Sequence, residues 1–369
     1  MTTATLKPLT IGSFTARIPI IQGGMGIGIS LSGLASAVAN EGGIGVIATA
    51  GIGMGEPDFF KNSFAANLRA LRREIRRARE LSKGILGVNI MVALSDFPDL
   101  VRAAIEEGTD IIFSGAGLPL ALPQLAPPES RTALVPIVSS GRAAALITKK
   151  WTDKHGRLPD AIVVEGPKAG GHLGFKEEML NDPAYSLDRL VPEVLFALKP
   201  FEDTFGKRIP VIAAGGIHTG SDILTFLRMG AAGVQMATRF VTTFECDASL
   251  AFKEAYIAST REDIVIIKSP VGMPGRAIKN TFLEEVSQGK RKPFKCPYHC
   301  LKTCDYKNSP YCITLALMNA KRGNLSQGFA FAGENAYRAD KIISVRELIE
   351  SLLREYEEAA NAAESGAPL

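Results

Sequence analysis

Eight short apolar runs, rich in β-branched residues and bounded by glycine or proline, punctuate the first two thirds of the chain. They cover 18–22, 44–49, 85–90, 110–114, 133–138, 161–165, 209–214 and 233–237. Each is apolar on both faces rather than alternating, which is the pattern of parallel strands covered by helices on one side and a core on the other. Between them lie segments with helical periodicity at 30–40, 59–82, 97–107, 141–155, 187–198 and 221–229, while the proline-rich stretch 117–128 has room for only a short helix. Eight strand–helix units predict an α/β fold closed as a TIM (β/α)8 barrel, with a doubly wound sheet as the alternative topology. Residues 241–325 do not fit the repeat, and a last periodic segment, 344–356, supplies the closing helix. The expected organisation is therefore a barrel built from 1–240 and 326–369, interrupted after strand eight by an inserted lid subdomain, 241–325. The small, polar tail 359–369 is expected to fray.

Composition agrees with a large buried core: 46% of the 369 residues are hydrophobic. A net charge of +4, without an aromatic-interleaved basic stripe, argues against a nucleic-acid partner. The arginine-rich helix 62–81 reads as a solvated outer face. Every apolar stretch is broken by glycine, proline or charge before it reaches membrane-spanning length, so no membrane partner is expected. Residues 1–15 lack a charged-then-apolar leader, and the expected location is cytoplasmic.

Candidate chemistry sits where the runs end. After the first comes Gln22-Gly23-Gly24-Met25-Gly26, where missing side chains let backbone approach a flat ring or a phosphate. It is not a GxGxxG fingerprint, and the second run carries no terminal acid for a ribose, so a Rossmann site is disfavoured. Ser30 is expected to cap the helix that follows. After the seventh and eighth runs come Ala214-Gly215-Gly216 and Gln235-Met236-Ala237-Thr238. In barrels this pair of turns builds a phosphate site from backbone N–H groups. Asn89 places an amide inside an apolar run, either as a pyrimidine-like partner or as a satisfied core amide, and Ser114 is a weaker candidate. After the sixth run, Glu165 leads into a loop with Lys168, Gly171 and His172. His172 is one of four histidines and is placed to exchange a proton near neutral pH or to donate to a substrate oxygen. The bland alternatives are a loop histidine capping carbonyls and a solvated or ion-paired lysine.

Taken together, residues 22–26, 87–91, 169–174, 209–217 and 233–240 resemble the motifs of the nitronate monooxygenase (2-nitropropane dioxygenase) superfamily, which includes FMN-dependent enoyl-[acyl-carrier-protein] reductases and NADH:quinone reductases. The resemblance resumes at 275–280 and 328–335. It implies FMN, with its phosphate on Gly215–Gly216 and Met236–Thr238 and its ring among Gln22, Gly23, Gly24 and Asn89. His172 then becomes the catalytic group of the AGGHxG motif, and Lys168 a positive charge toward the flavin. The resemblance further implies a small-molecule substrate, NAD(P)H as a candidate co-substrate, and acyl carrier protein, another redox protein or a second copy of the chain as candidate partners. Lys168 stands where relatives usually carry Glu or Gln.

Four cysteines, Cys296, Cys300, Cys304 and Cys312, form a C-x3-C-x3-C-x7-C segment that common family members lack. Four thiolates suit a [4Fe–4S] cluster, with structural zinc and free thiols as alternatives, and Lys292, Lys295 and Lys302 would offset a cluster's charge. Cys246 stands apart as an incidental thiol. Nitronate oxidation is the leading reading of the whole chain. Reduction of an activated alkene or quinone is its enzymatic rival, and a regulatory flavin-binding barrel the non-enzymatic one.

Overall fold

The computed structural model describes residues 6–291, 296 and 298–365. The eight runs form strands β1 (Ile20–Gln22), β2 (Ile44–Ala48), β3 (Ile85–Met91), β4 (Ile111–Gly115), β5 (Ala133–Val138), β6 (Ile162–Glu165), β7 (Val211–Ala214) and β8 (Gly233–Met236). All pair in parallel with their chain neighbours, and β8 closes on β1, so the molecule is a TIM barrel and not a doubly wound sheet. Alternation within each strand explains the two-faced apolarity. Val46, Ile111, Phe113, Val163 and Ile212 fill the barrel interior, while Ile47, Ile112 and Val164 pack outward against the helices. A hairpin of Leu9–Ile11 and Phe14–Ala16, not foreseen from the pattern, adds Leu9, Ile11 and Ala16 to the interior cluster.

The outer layer comprises α1 (Ser32–Asn40), α2 (Ser63–Leu81), α3 (Phe97–Glu106), α4 (Gly141–His155), α5 (Leu187–Phe205) and α6 (Gly220–Arg228); after β4 there is only a short 3-10 turn. Local signals set most ends. Ser140 caps α4, and a Thr219/Asp222 capping box starts α6. Ser30 does not cap α1. Its hydroxyl accepts the Met25 N–H, and the distant Asp247 carboxylate instead accepts from Leu31, Gly33 and Leu34. Helix α5 runs past the expected end at 198, through Pro200 to Phe205, and stops at Gly206, which takes the left-handed conformation.

After the short α7 (Thr238–Val241) and α8 (Leu250–Ile257), the chain forms β9 (Ile264–Lys268), β10 (Pro274–Ile278), α9 (Thr281–Ser287) and α10 (Ile313–Lys321). The antiparallel β9–β10 pair takes Gly171–His172 as a third strand. The last helix, α11 (Val345–Glu364), starts at a Ser344/Glu347 capping box and continues well beyond 356. It buries Ala359 and Ala360, so the expected fraying of the tail is corrected as far as Glu364; residues 366–369 lie outside the described set.

Candidate active site

The carboxyl ends of the strands open into a cavity of about 750 Å³, within the range of cofactor and ligand sites. Its walls bring together Gly23, Gly24, Met25, Asn89, Glu165, Lys168, Gly171, His172, Ala214, Gly215, Gly216, Gln235, Met236, Ala237 and Thr238 from seven separate segments of sequence. Gln22 is not among them. It is fully buried, its Oε1 accepting from the Val46 N–H at 3.0 Å and its Nε2 donating to the Gly23 carbonyl at 2.5 Å. Its side chain stitches β1 to β2 under the glycines. Ser114 is likewise a core residue, donating to the Ile90 carbonyl at 2.9 Å.

Three observations bear on whether these residues fit FMN. A Cβ on Gly24 would lie 2.5 Å from the Asn89 Cβ, so the glycine keeps a flat surface beside the amide. Gly215 and Gly216 hold φ of +93° and +95°, and among the described residues the Gly216 amide has no protein acceptor. Next to these turns the Arg239 Nε is a buried donor without a partner among the described residues, while its Nη1 lies 3.3 Å from the Nε2 of buried His218. Burial and the adjoining Arg239 hold His218 down to about 3. A free backbone amide at a positive-φ glycine turn on the cavity wall is the environment an anionic group needs, and it fits a phosphate.

His172 is built into its place by three contacts. It pairs with Gly275 of β10, its ring meets Phe331 edge-on at 5.0 Å, and its Nε2 lies 2.7 Å from the Ser269 Oγ. Burial lowers its pKa to about 4, so the imidazole is neutral at physiological pH. Glu165, enclosed at the end of β6, is raised by burial to about 7. Lys168 sits at the rim, its ammonium 3.4 Å from Glu334 and its side chain more than half exposed, the ion-paired arrangement rather than a charge driven into the cavity.

Arg276 was not singled out by sequence reasoning, although an arginine inside the apolar run 274–278 was a legible signal. It is 4% exposed and donates to the carbonyls of Pro167 and Ala169 at 2.6 and 2.7 Å, clamping the loop that carries His172. Asn335 was likewise not singled out as a site residue; its amide donates to the Gly216 carbonyl at 2.7 Å.

The cysteine segment docks on the β3–α3 loop, where Ser95 donates to the carbonyls of His299 and Cys300, and Lys302 to that of Ala93. Cys296, Cys300 and Cys312 pack on one cluster with Tyr298, and Cys300 lines the cavity. Cys304 packs on the neighbouring cluster. Among the described residues, no group of three or more metal-ligating side chains converges closely enough to hold an ion. Lys302 donates to the Val92 carbonyl, and Lys292 and Lys295 lie outside the described residues.

Comparison with known proteins agrees with this geometry. The nitronate monooxygenase family profile matches residues 7–355. A Mycobacterium tuberculosis protein, (3aS,4S,5R,7aS)-5-hydroxy-7a-methyl-1-oxo-octahydro-1H-indene-4-carboxyl-CoA dehydrogenase, is 30% identical over 274 residues, 74% of this chain and 66% of that one. The match therefore spans just under two thirds of that relative's length. A probable nitronate monooxygenase of Staphylococcus aureus is 30% identical across 73% of this chain and 78% of its own. Among solved structures, FabK from Thermotoga maritima superposes with a TM-score of 0.73 at 27% identity, covering 95% of this chain and 96% of that one. The nitroalkane oxidase of Streptomyces ansochromogenes, at 24% identity and a TM-score of 0.72 over 94% of this chain and 98% of its own, shares the fold. The chain belongs to the nitronate monooxygenase family of FMN-dependent oxidoreductases.

Proposed function

We propose that the enzyme oxidises alkyl nitronates with FMN, using His172 as the base or orienting group. The observation that carries this reading is a neutral, half-buried His172 on the wall of the same cavity as the Gly24–Asn89 surface and the Gly215–Gly216 turn. When bound, FMN supplies the electron-pair acceptor for this oxidation. The chain's own part is to bind and orient. The turns at 214–216 and 235–238 would hold the phosphate end and Gly23, Gly24, Met25 and Asn89 the ring, with Glu165 on the same cavity wall. A neutral imidazole offers both an N–H for a nitro oxygen and a lone pair for a proton, without the cost of burying a charge. Segment 241–325, whose β10 carries the strand of His172, would act as the lid.

One observation favours a second reading, NAD(P)H-dependent reduction of an activated alkene such as an enoyl thioester, or of a quinone. Leu94, Leu301, Ile313 and Leu317 line the same cavity as the glycine turns, and its volume of about 750 Å³ is more than a small nitroalkane needs. The Mycobacterium relative, named for a carboxyl-CoA compound, supports a thioester substrate. Acyl carrier protein or another redox protein as partner, a homodimer and a cytoplasmic setting belong with these readings. So does a [4Fe–4S] cluster, or zinc, on Cys296, Cys300, Cys304 and Cys312.

Anaerobic mixing separates the readings. Loss of flavin absorbance on adding an alkyl nitronate, and none on adding NADH or NADPH, is expected; the reverse would overturn the first reading in favour of the second. Metal analysis of anaerobically purified protein decides the cysteines. Roughly four irons per chain, one zinc, or neither correspond to cluster, structural metal and free thiols.

A further inference from the structure

The contacts around His172 come almost entirely from outside the barrel. Its strand is the third of the β9–β10 sheet, Leu173 N–H donates to the Pro274 carbonyl at 2.9 Å, and the ring rests against Phe331. The only hydrogen bond to its imidazole among the described residues is with Ser269, which directly follows β9. Ser269 is 3% exposed and fixed in a tight turn, with its N–H donating to the Met273 carbonyl at 3.1 Å and its Oγ accepting the Val271 N–H at 3.4 Å. A hydroxyl whose oxygen already accepts a backbone N–H has its own proton left to donate.

We propose that Ser269 is a positioning residue that donates to Nε2 and so holds His172 as the Nδ1–H tautomer. The ring then presents a fixed N–H donor to a substrate oxygen. Nδ1 has no hydrogen-bond partner among the described residues, and His172 lines the cavity. The assignment gives the excursion a defined task, because the turn 269–275 sets both the backbone register and the ring orientation of a residue delivered by the barrel. It also selects between the two roles considered for His172: a ring whose Nε2 lone pair is occupied orients substrate rather than removing its proton. The neighbouring charges do not compete for the ring. Arg276, Lys168 and Glu334 bind one another and the 167–169 carbonyls, Glu165 lies at the end of β6, and burial alone accounts for the ring's lowered pKa. The proposal rests on the reading that His172 acts on substrate.

The test uses the flavin-loaded enzyme labelled with 15N-histidine, whose four histidines are few enough to resolve, with His172→Gln identifying the signal. Long-range nitrogen–proton spectra distinguish the tautomers directly. The expected result is Nδ1–H in the wild type, and in Ser269→Ala a shift to the Nε2–H form that free neutral imidazole prefers. The kcat should fall about 10–100-fold with little change in KM, the size typical of losing an orienting partner. Ser269→Thr, which keeps the hydroxyl, should restore the tautomer and most of the rate. A wild-type Nε2–H tautomer, or a His172 signal unmoved by Ser269→Ala, would overturn the proposal. A tautomer that moves while turnover does not would leave Ser269 as the positioning group and instead remove the catalytic reading of His172.

Discussion

At the scale of single residues, the chemistry depends on burial more than on charge partners. His172→Gln should lower turnover by about 10²–10⁴-fold while the flavin-to-protein absorbance ratio stays unchanged, because no flavin-cradling backbone is touched. Loss of flavin instead would assign His172 to binding. The same burial predicts a pH dependence of stability. The unfolded chain protonates His172 near 6.5 and the folded protein only near 4, so the unfolded state binds the extra proton between these values. Stability should therefore fall as pH drops from about 6.5 to 4, by up to about 3 kcal/mol from this ring. His218, held to about 3, adds to the loss. Glu165 acts oppositely. Raised to about 7, it binds a proton in the folded state between about 4.5 and 7, so its contribution is present at low pH and is lost as pH rises through 7. Chemical denaturation from pH 4 to 8 should show a net loss on the acid side, which His172→Gln reduces.

At the scale of elements, some boundaries were legible locally and others were not. The helices begun by Ser140, Thr219 and Ser344 carry their own caps, so their starts can be found from a few neighbouring residues. Helix α1 is different, since the carboxylate accepting its first N–H groups belongs to Asp247, more than two hundred residues away. Asp247→Ala should cost about 1–2 kcal/mol, read as a lowered unfolding midpoint, whereas Ser30→Ala should leave α1 capped. The β1–α1 turn carries a separate constraint. Gly24→Ala would push a methyl to 2.5 Å from the Asn89 Cβ, and protein with much reduced flavin content after desalting is expected.

For the whole molecule, the decisive feature is that the barrel and the excursion share one site. Arg276 joins them, its guanidinium donating to two carbonyls of the His172 loop. Arg276→Gln should destabilise by about 2–4 kcal/mol, since buried acceptors lose a charge-assisted donor. It should also lower kcat more than Arg276→Lys does, as measured by unfolding and steady-state kinetics together. Cys300, Leu301, Ile313 and Leu317 of the excursion line the same cavity as the glycine turns of the barrel.

The eight-strand barrel, the order of its helices and the loops that meet at its mouth follow from the sequence, because apolar runs, glycine turns and helix caps are local signals with fixed periods. His172 could be picked out for the same reason, as a titratable group in a glycine-rich loop after a strand. Its neutrality, its bond to Ser269 and its place on the β9–β10 sheet could not, since each depends on residues nearly a hundred positions away meeting in space. The same holds for Gln22, which local sequence places at the ring and packing turns into the core. Four cysteines in seventeen residues are equally visible, but whether their sulfurs converge is a question of distances that spacing alone does not set. Local pattern fixes which elements form; the environment that tunes a buried group is the sum of everything folded around it, and only the tertiary structure decides that.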